Sequence, residues 1–484
     1  MNKSKAINVN VQKGNTFNFF QPADAWGTIF VFVFVVVVLL AVKSTGSKAL
    51  NILYPLGTFV VAWRLYFRHP ILYVGFVWWV FFLTAFIRRF ADFNGGAFTD
   101  PSPMLLAPYT AVIVCSHTLY FNLSKSREQG SAPFVMAIVA IIYGYLVGLI
   151  NGASPVTATV ALLEWISPLL FGYHLFVNWN RYPEYCRNLQ KVFLWGVLIM
   201  GIYGVYQFMV APEWDRFWLE NSPIKTSAGK PEPLGIRVWS TLNAPGPFAS
   251  FMATGLLILF RCQSVLVLPA AGFGALSFLL SMVRTAWLGW SLGMITIITS
   301  IKPKQQLKLV LTILVLALIV IPLATIEPFA SSISERLTTL VDVKNDPSFQ
   351  ARQFIYENLF NDALTSYIGS GLGINLGQDS AFLVMMFDLG WIGAIPYVGG
   401  LIVLIISIFR TSTKTKDIFD SIIRAIVLQS IFYLFAGPSM KGATGMLLWP
   451  FIAMALAGRK YNNYYESQLA LGSKSTKSNY NQQY

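Results

Sequence analysis

The stretch WGTIFVFVFVVVVLLAV, residues 26–42, carries no charge and one hydroxyl over a length that nearly crosses a bilayer. Runs of this kind recur along the whole chain and constrain it more than any other feature. A helix crossing about 30 Å of hydrocarbon needs roughly 20 apolar residues. The runs predict spans at about 26–43, 49–67, 70–87, 104–123, 133–152, 156–178, 192–211, 246–261, 263–282, 284–301, 308–327, 380–409, 420–436 and 442–458. The expected fold is therefore all-α, a polytopic membrane protein of about 12–14 transmembrane helices. Composition agrees: 55% of residues are hydrophobic and 12% charged, against about 25% charged in soluble domains. The first run is too long for the apolar part of a signal peptide and no A-x-A site follows it, so it is expected to stay as a membrane helix.

Charge sets the expected topology. Most of the 35 basic residues fall in the loops that are cytoplasmic if the N-terminus is. These include Arg64 and Arg68, Lys125 and Arg127, Arg181, Arg187 and Lys191, Arg261, Arg410, and the tail with Arg459 and Lys460. Short loops rich in Lys and Arg stay inside. Both termini are thus expected in the cytoplasm of a multi-pass protein of the cell inner (plasma) membrane. The net charge of +14 follows from that bias and is no sign of nucleic-acid binding. Three dispersed cysteines and three dispersed histidines show neither disulfide nor metal-ligand spacing.

A single membrane domain is expected over 1–460, with a Ser/Asn/Gln/Lys-rich disordered cytoplasmic tail at 461–484. Two long segments interrupt it on the non-cytoplasmic side, about 212–245 and 328–379, and long ordered loops usually have a job. The second contains SFQARQFIYENLFNDAL, whose Phe349, Ile355, Leu359 and Phe360 fit one face of an amphipathic helix. The run 380–409 is too long for one simple span. Its FDLGWIGAIPYVGG predicts a short or kinked piece followed by a full helix. The mid-spans read as nearly free of charge.

Three arginines meet at the non-cytoplasmic side in this map. Arg237 lies in IRVWSTLNAPGPFA, Arg284 in the short turn SMVRTAWLGW, and Arg352 in FQARQF. A guanidinium offers a planar fork of donors that matches phosphate oxygens. Each alone is also explained as a snorkelling helix-end residue. Together they point to an anionic ligand such as a lipid-linked phosphate or pyrophosphate. Gly369, Gly371 and Gly373 form a G-x-G-x-G string, either a turn whose N–H groups face an anion or a flexible loop. Asp379 follows, as a general base or as the N-cap of the next helix. Asp388, nine residues on, suits a structural hydrogen bond as well as function.

These stretches, in order, resemble the O-antigen ligase and O-antigen polymerase superfamily. The resemblance rests on RVWSTLNAPGPFASFMATGLLIL, LLSMVRTAWLGWSLG, SFQARQFIYENLF and GSGLGINLGQDSAFLVMMFDLGWIG, and covers about 230–400. It implies a bundle of the C-type glycosyltransferase class working at the periplasmic face in polysaccharide biosynthesis of the cell envelope. Such enzymes take glycan from an undecaprenyl-diphosphate carrier and pass it to a glycan or lipid acceptor, with no metal, nucleotide sugar or other cofactor. By resemblance, Arg237 and Arg284 hold the diphosphate, with Asn243 in the turn that opens the next helix, and Arg352 steadies the loop or glycan. The ligases carry a histidine where this chain reads GQDSAF, which leaves Asp379 as the catalytic candidate and favours a polymerase or a ligase with another acceptor. Expected partners are the lipid-linked donor, the acceptor, membrane lipids and polysaccharide-export proteins. Two rivals stand beside this reading: a transporter of sugars or small anions, including inorganic carbon, and a non-catalytic export scaffold.

Overall fold

The computed structural model describes residues 23–223, 228–301, 347–374, 380–410 and 418–480, with scattered positions between 303 and 330. Among these there is no strand beyond one antiparallel bridge, Gly229 to Ile236. The helices are α1 (Ala23–Ala41), α2 (Lys43–Arg68), α3 (Pro70–Gly95), α4 (Ala107–Ile113), α5 (Ser116–Asn122), α6 (Ser126–Gln129), α7 (Ala132–Ile150), α8 (Pro155–Val177), α9 (Tyr182–Val210) and α10 (Glu213–Asn221). Then come α11 (Pro245–Leu259), α12 (Val267–Leu280), α13 (Arg284–Ser300), α14 (Pro347–Thr365), α15 (Ala381–Phe409), α16 (Ile418–Leu434) and α17 (Gly442–Tyr480). Where described, each expected span lies on a helix; the run 308–327 lies largely outside the described residues.

The chain is a polytopic, helical membrane protein. Seven described segments are long and apolar enough to cross a bilayer by themselves: α1, α3, the interrupted stretch Pro103–Gln129, α7, α8, the stretch Trp179–Val210 and α15. Fewer segments pass than the 12–14 expected, because several apolar runs make short helices. α11 and α12 have 15 and 14 residues, α13 and α16 have 17 each. At 1.5 Å per residue these reach roughly 21–26 Å, short of about 30 Å of hydrocarbon.

The start of α1 and the Lys460 region of α17 lie at one end of the bundle. Asp24 of α1 faces Arg64, Arg68 and His69, and Lys460 of α17 donates to the carbonyl of Gln129. Its ammonium sits 4.0 Å over the Phe176 ring, and this burial holds it below the usual lysine range. The expected disordered tail continues α17 as helix to Tyr480.

At the opposite end the helices stop at different levels. α8 and α17 run parallel, and a Cβ built on Gly445 would meet Pro168 while one on Gly172 would meet the Trp449 carbonyl. Lys441, just before α17, is therefore level with Glu164, nine residues into α8. That is roughly 13 Å below the α8 start. α16 ends and α13 begins at a similar depth beside each other, since the Tyr433 hydroxyl donates to the Ala286 carbonyl at 3.4 Å. The later start of α17 thus leaves a step, or recess, beside the taller α8.

α15 is broken as its glycines and proline suggest: Gly390 has φ 59° and ψ −177°. The G-x-G-x-G string packs into this break. Its three glycines have φ of 84°, 90° and 88°, and a Cβ on Gly371 would lie 2.0 Å from the Gly148 nitrogen. α14 forms where the amphipathic pattern predicts it. Ile355 and Leu359 pack on Leu383 and Met386 of α15 rather than lying on lipid alone, while Phe360 is 41% exposed; the Phe349 side chain lies outside the described residues.

Gly371→Ala should destabilise the protein by about 1–3 kcal/mol more than Gly152→Ala, since forcing a side chain into a packed site carries that cost. Both glycines have φ of 90°, so backbone strain is matched, but the Gly152 Cβ would meet nothing within 4 Å. Paired melting curves in detergent would measure the difference.

Candidate functional site

The turn after α10 is held from inside the bundle by one side chain that the sequence reading passed over. Arg89 of α3 is fully buried. Its Nε donates to Asp215 Oδ1 at 2.8 Å, one terminal nitrogen donates to the Ser240 carbonyl at 2.5 Å and the other to the Leu242 carbonyl. Asp215 Oδ2 accepts from the Tyr203 hydroxyl at 2.6 Å and from Gln207 Nε2 at 2.8 Å. Gln207 Oε1 in turn accepts the backbone N–H groups of Trp239 and Ser240. A buried ion pair survives when its remaining donors and acceptors are also matched, and here they are. The expected span ended at 87, but α3 runs on to Gly95. The pair Arg88–Arg89 is thus within a helix, where paired charge is a usual sign of function. That was the available signal. Arg88 makes its own ion pair with Asp92 at 2.7 Å.

The clamped turn carries Arg237 to Arg284. The Val238 N–H donates to the Leu280 carbonyl, and Arg237 donates to the Met282 carbonyl at 3.1 Å. Arg284, two residues on, is the first residue of α13. Both arginines are half-buried. Met282 and Ser240 take left-handed backbone at φ 55° and 51°, so the two turns fold tightly against each other. Asn243 stands just before α11, which begins at Pro245. α13 therefore opens at Arg284 itself and α11 opens eight residues after Arg237; helix N-termini favour anions.

Several polar atoms on this turn lack partners among the described residues: Trp239 Nε1, Thr241 Oγ1 and Asn243 Oδ1. Buried polar atoms are nearly always hydrogen-bonded, so three orphans on five consecutive residues mark a place that a ligand or water would complete.

Asp379 and the Arg352 side chain lie outside the described residues. The glycine string is not an anion cradle over its centre: the N–H groups of Ser370 and Gly371 donate to the Phe387 carbonyl, and that of Leu372 to Gly144. Gly369, Gly371 and Gly373 serve instead to let this loop touch the backbones of α15, α7 and α8.

The expectation of nearly charge-free mid-spans fails around α15. Asp388, 2% exposed, accepts from Trp165 Nε1 at 3.0 Å and faces Lys441 Nζ at 3.7 Å. Glu164, one residue before that tryptophan, lies within electrostatic reach of both. The turn from α16 to α17 joins this cluster to the arginines: it starts where Tyr433 meets the first turn of α13 and ends at Lys441. No group of three or more His, Cys, Asp or Glu able to hold a metal occurs among the described residues.

No protein-family model and no curated protein sequence matches the chain. Functional assignment therefore rests on the residues and their geometry.

Arg89→Met or Asp215→Asn alone should cost about 3–5 kcal/mol, since each leaves a buried charge unmatched. The pair Arg89→Met with Asp215→Leu should cost less than the sum. Thermal unfolding of the three variants in detergent would give the coupling.

Proposed function

We propose that the protein is an inner-membrane glycosyltransferase of the polymerase or ligase type. It would transfer glycan from an undecaprenyl-diphosphate-linked donor to a glycan or lipid-linked acceptor, at the face opposite its termini. The observation that carries this reading is the Arg237 guanidinium on the Met282 carbonyl, two residues from Arg284 where α13 opens, with three orphaned polar atoms on the Arg237 turn. The basic residues near the termini favour a cytoplasmic position for that end, which turns the arginines toward the periplasm.

The chemistry follows from charge. As the bond from the anomeric carbon to the diphosphate breaks, the leaving oxygen gains negative charge. Fixed guanidinium groups and helix dipoles stabilise it without reorganising. Arg237 is preorganised by the Met282 carbonyl and by the Arg89 clamp beneath its turn. The recess lets a lipid-linked head group sink below the bilayer surface, where electrostatic attraction is stronger. Asn243 completes the anion-facing turn, and Arg352 would steady the glycan. A base must receive the acceptor hydroxyl's proton, and Asp379 is the candidate that the sequence offers for it.

A transporter of sugars or small anions gains support from one observation, the buried Asp388–Lys441 pair beside the break at Gly390. Broken helices with charged residues at depth are a mark of transporters. Lipid-linked glycan would not accumulate in a deletion strain if transport were the function.

Arg284→Lys should lose most transfer, about tenfold to a thousandfold, because an ammonium cannot make the forked contact and such donors are worth that much. Glycan-length profiling of a complemented deletion strain checks it; a normal ladder would reject the diphosphate role. In the same assay Asp379→Asn tests the candidate base offered by the sequence: lost transfer would support it, and unchanged output would reduce Asp379 to a helix cap.

A further inference from the structure

Glu164 is the one acid of the recess cluster that the foregoing chemistry leaves without a task. It lies in the middle of α8, in a segment apolar enough to span a bilayer. Its carboxylate makes no hydrogen bond or close ion pair among the described residues. A charged side chain at such depth costs about 2.5–3.5 kcal/mol or more unless something answers it. Its surroundings are specific. Lys441 stands level with it on the turn before α17, 21% exposed, with its ammonium 5.7 Å over the Trp165 ring and 3.7 Å from Asp388. Tyr109 of α4 lies within electrostatic reach of Glu164 on the other side, and is half-buried next to Gly442. A carboxylate, a phenol and an ammonium thus gather around the turn before α17, at the end of the bundle that carries the arginines.

Asp388 is engaged differently. Its Oδ2 takes both the indole N–H and the ammonium, so it fixes Lys441 and leaves Glu164 as the acceptor facing the recess. The Tyr433–Lys441 turn connects this cluster to the first turn of α13, where Arg284 begins. One end of the bundle therefore carries a cationic side and, across a single turn, an acid–base side.

We propose that Glu164, Lys441 and Tyr109 form the acceptor subsite, and that Glu164 rather than Asp379 takes the proton of the attacking sugar hydroxyl. The inference rests on the glycosyl-transfer reading above. In the step, the acceptor hydroxyl oxygen forms a bond to the anomeric carbon. The bond from that carbon to the diphosphate breaks, and its electron pair leaves on the diphosphate beside Arg237 and Arg284. The hydroxyl proton passes to the Glu164 carboxylate and is returned to water through the recess. Lys441 holds a sugar oxygen and keeps the carboxylate ionised before attack, and Tyr109 hydrogen-bonds a neighbouring hydroxyl. Asp388 is a positioning residue that acts through Lys441.

The test uses the full-length protein in two assays. Binding is read with undecaprenyl diphosphate in lipid nanodiscs. Transfer is read in membranes of a deletion strain carrying each variant, with the endogenous lipid-linked glycan as donor, as a function of pH. Glu164→Gln should bind undecaprenyl diphosphate as the wild type does and lose about 100-fold to 10,000-fold in transfer, the range for a general base. Glu164→Asp should recover part of the rate, and the acid limb of the pH profile should vanish in Glu164→Gln. Arg284→Lys should instead lose binding. If Arg284→Lys abolishes transfer while Glu164→Gln keeps it, or if Asp379→Asn alone removes the acid limb, the subsite is overturned and the glycosyl-transfer reading stands. If Glu164→Gln loses lipid binding as well, the carboxylate is structural and the subsite is likewise overturned. If neither Arg284→Lys nor Glu164→Gln affects transfer, the glycosyl-transfer reading itself fails.

Discussion

A guanidinium sealed from water must find every partner inside the protein, and Arg89 does so by reaching across from α3 to the turn before α11. Its contacts with Asp215, Ser240 and Leu242 join α10, α3 and the 236–243 turn into one body. Gln207 and Tyr203 extend the network to α9. In the low dielectric of a membrane bundle such a network is all-or-nothing, since one missing member leaves a buried charge unmatched. The position of Arg237, and through the Met282 carbonyl its relation to Arg284, depends on this clamp. A flexible loop carrying two arginines would attract anions without orienting them; a clamped one fixes where a leaving group can sit.

The second constraint is helix length. The bilayer demands roughly 20 residues of a simple span, yet α11, α12, α13 and α16 stop short of that. Non-helical backbone at membrane depth is tolerated only where protein or water lines it, so helices this short require their ends to be met by neighbouring segments. The break in α15 has the same logic: Gly390 and the glycines at 369, 371 and 373 permit backbone-to-backbone contact that any side chain would block.

Much of this was legible in the amino-acid sequence because bilayer thickness and apolar run length are tightly coupled. Where the structure describes them, the helices fall where the runs do, the kink within 381–409 sits at a glycine, and the amphipathic segment forms α14. The convergence of IRVWST with SMVRTAW was also foreseeable, since both flank turns on one side of the expected topology. Three things were not. Arg89 escaped notice because hydropathy ended its helix at 87. The glycine string allowed an anion-facing turn or a flexible loop, because spacing does not say which carbonyls take its N–H groups. Glu164 and Lys441 are 277 positions apart, and only parallel packing of α8 and α17 reveals that they share a level.

The central claim is that Arg237 and Arg284 grip one diphosphate within the recess. Its most direct test is an experimental structure of the protein in lipid nanodiscs loaded with undecaprenyl diphosphate. The account requires the diphosphate within hydrogen-bond distance of both guanidinium groups, at the end of the bundle away from Asp24 and Lys460. A diphosphate bound at the end that holds Asp24 and Lys460, or one that leaves both arginines untouched, would contradict it.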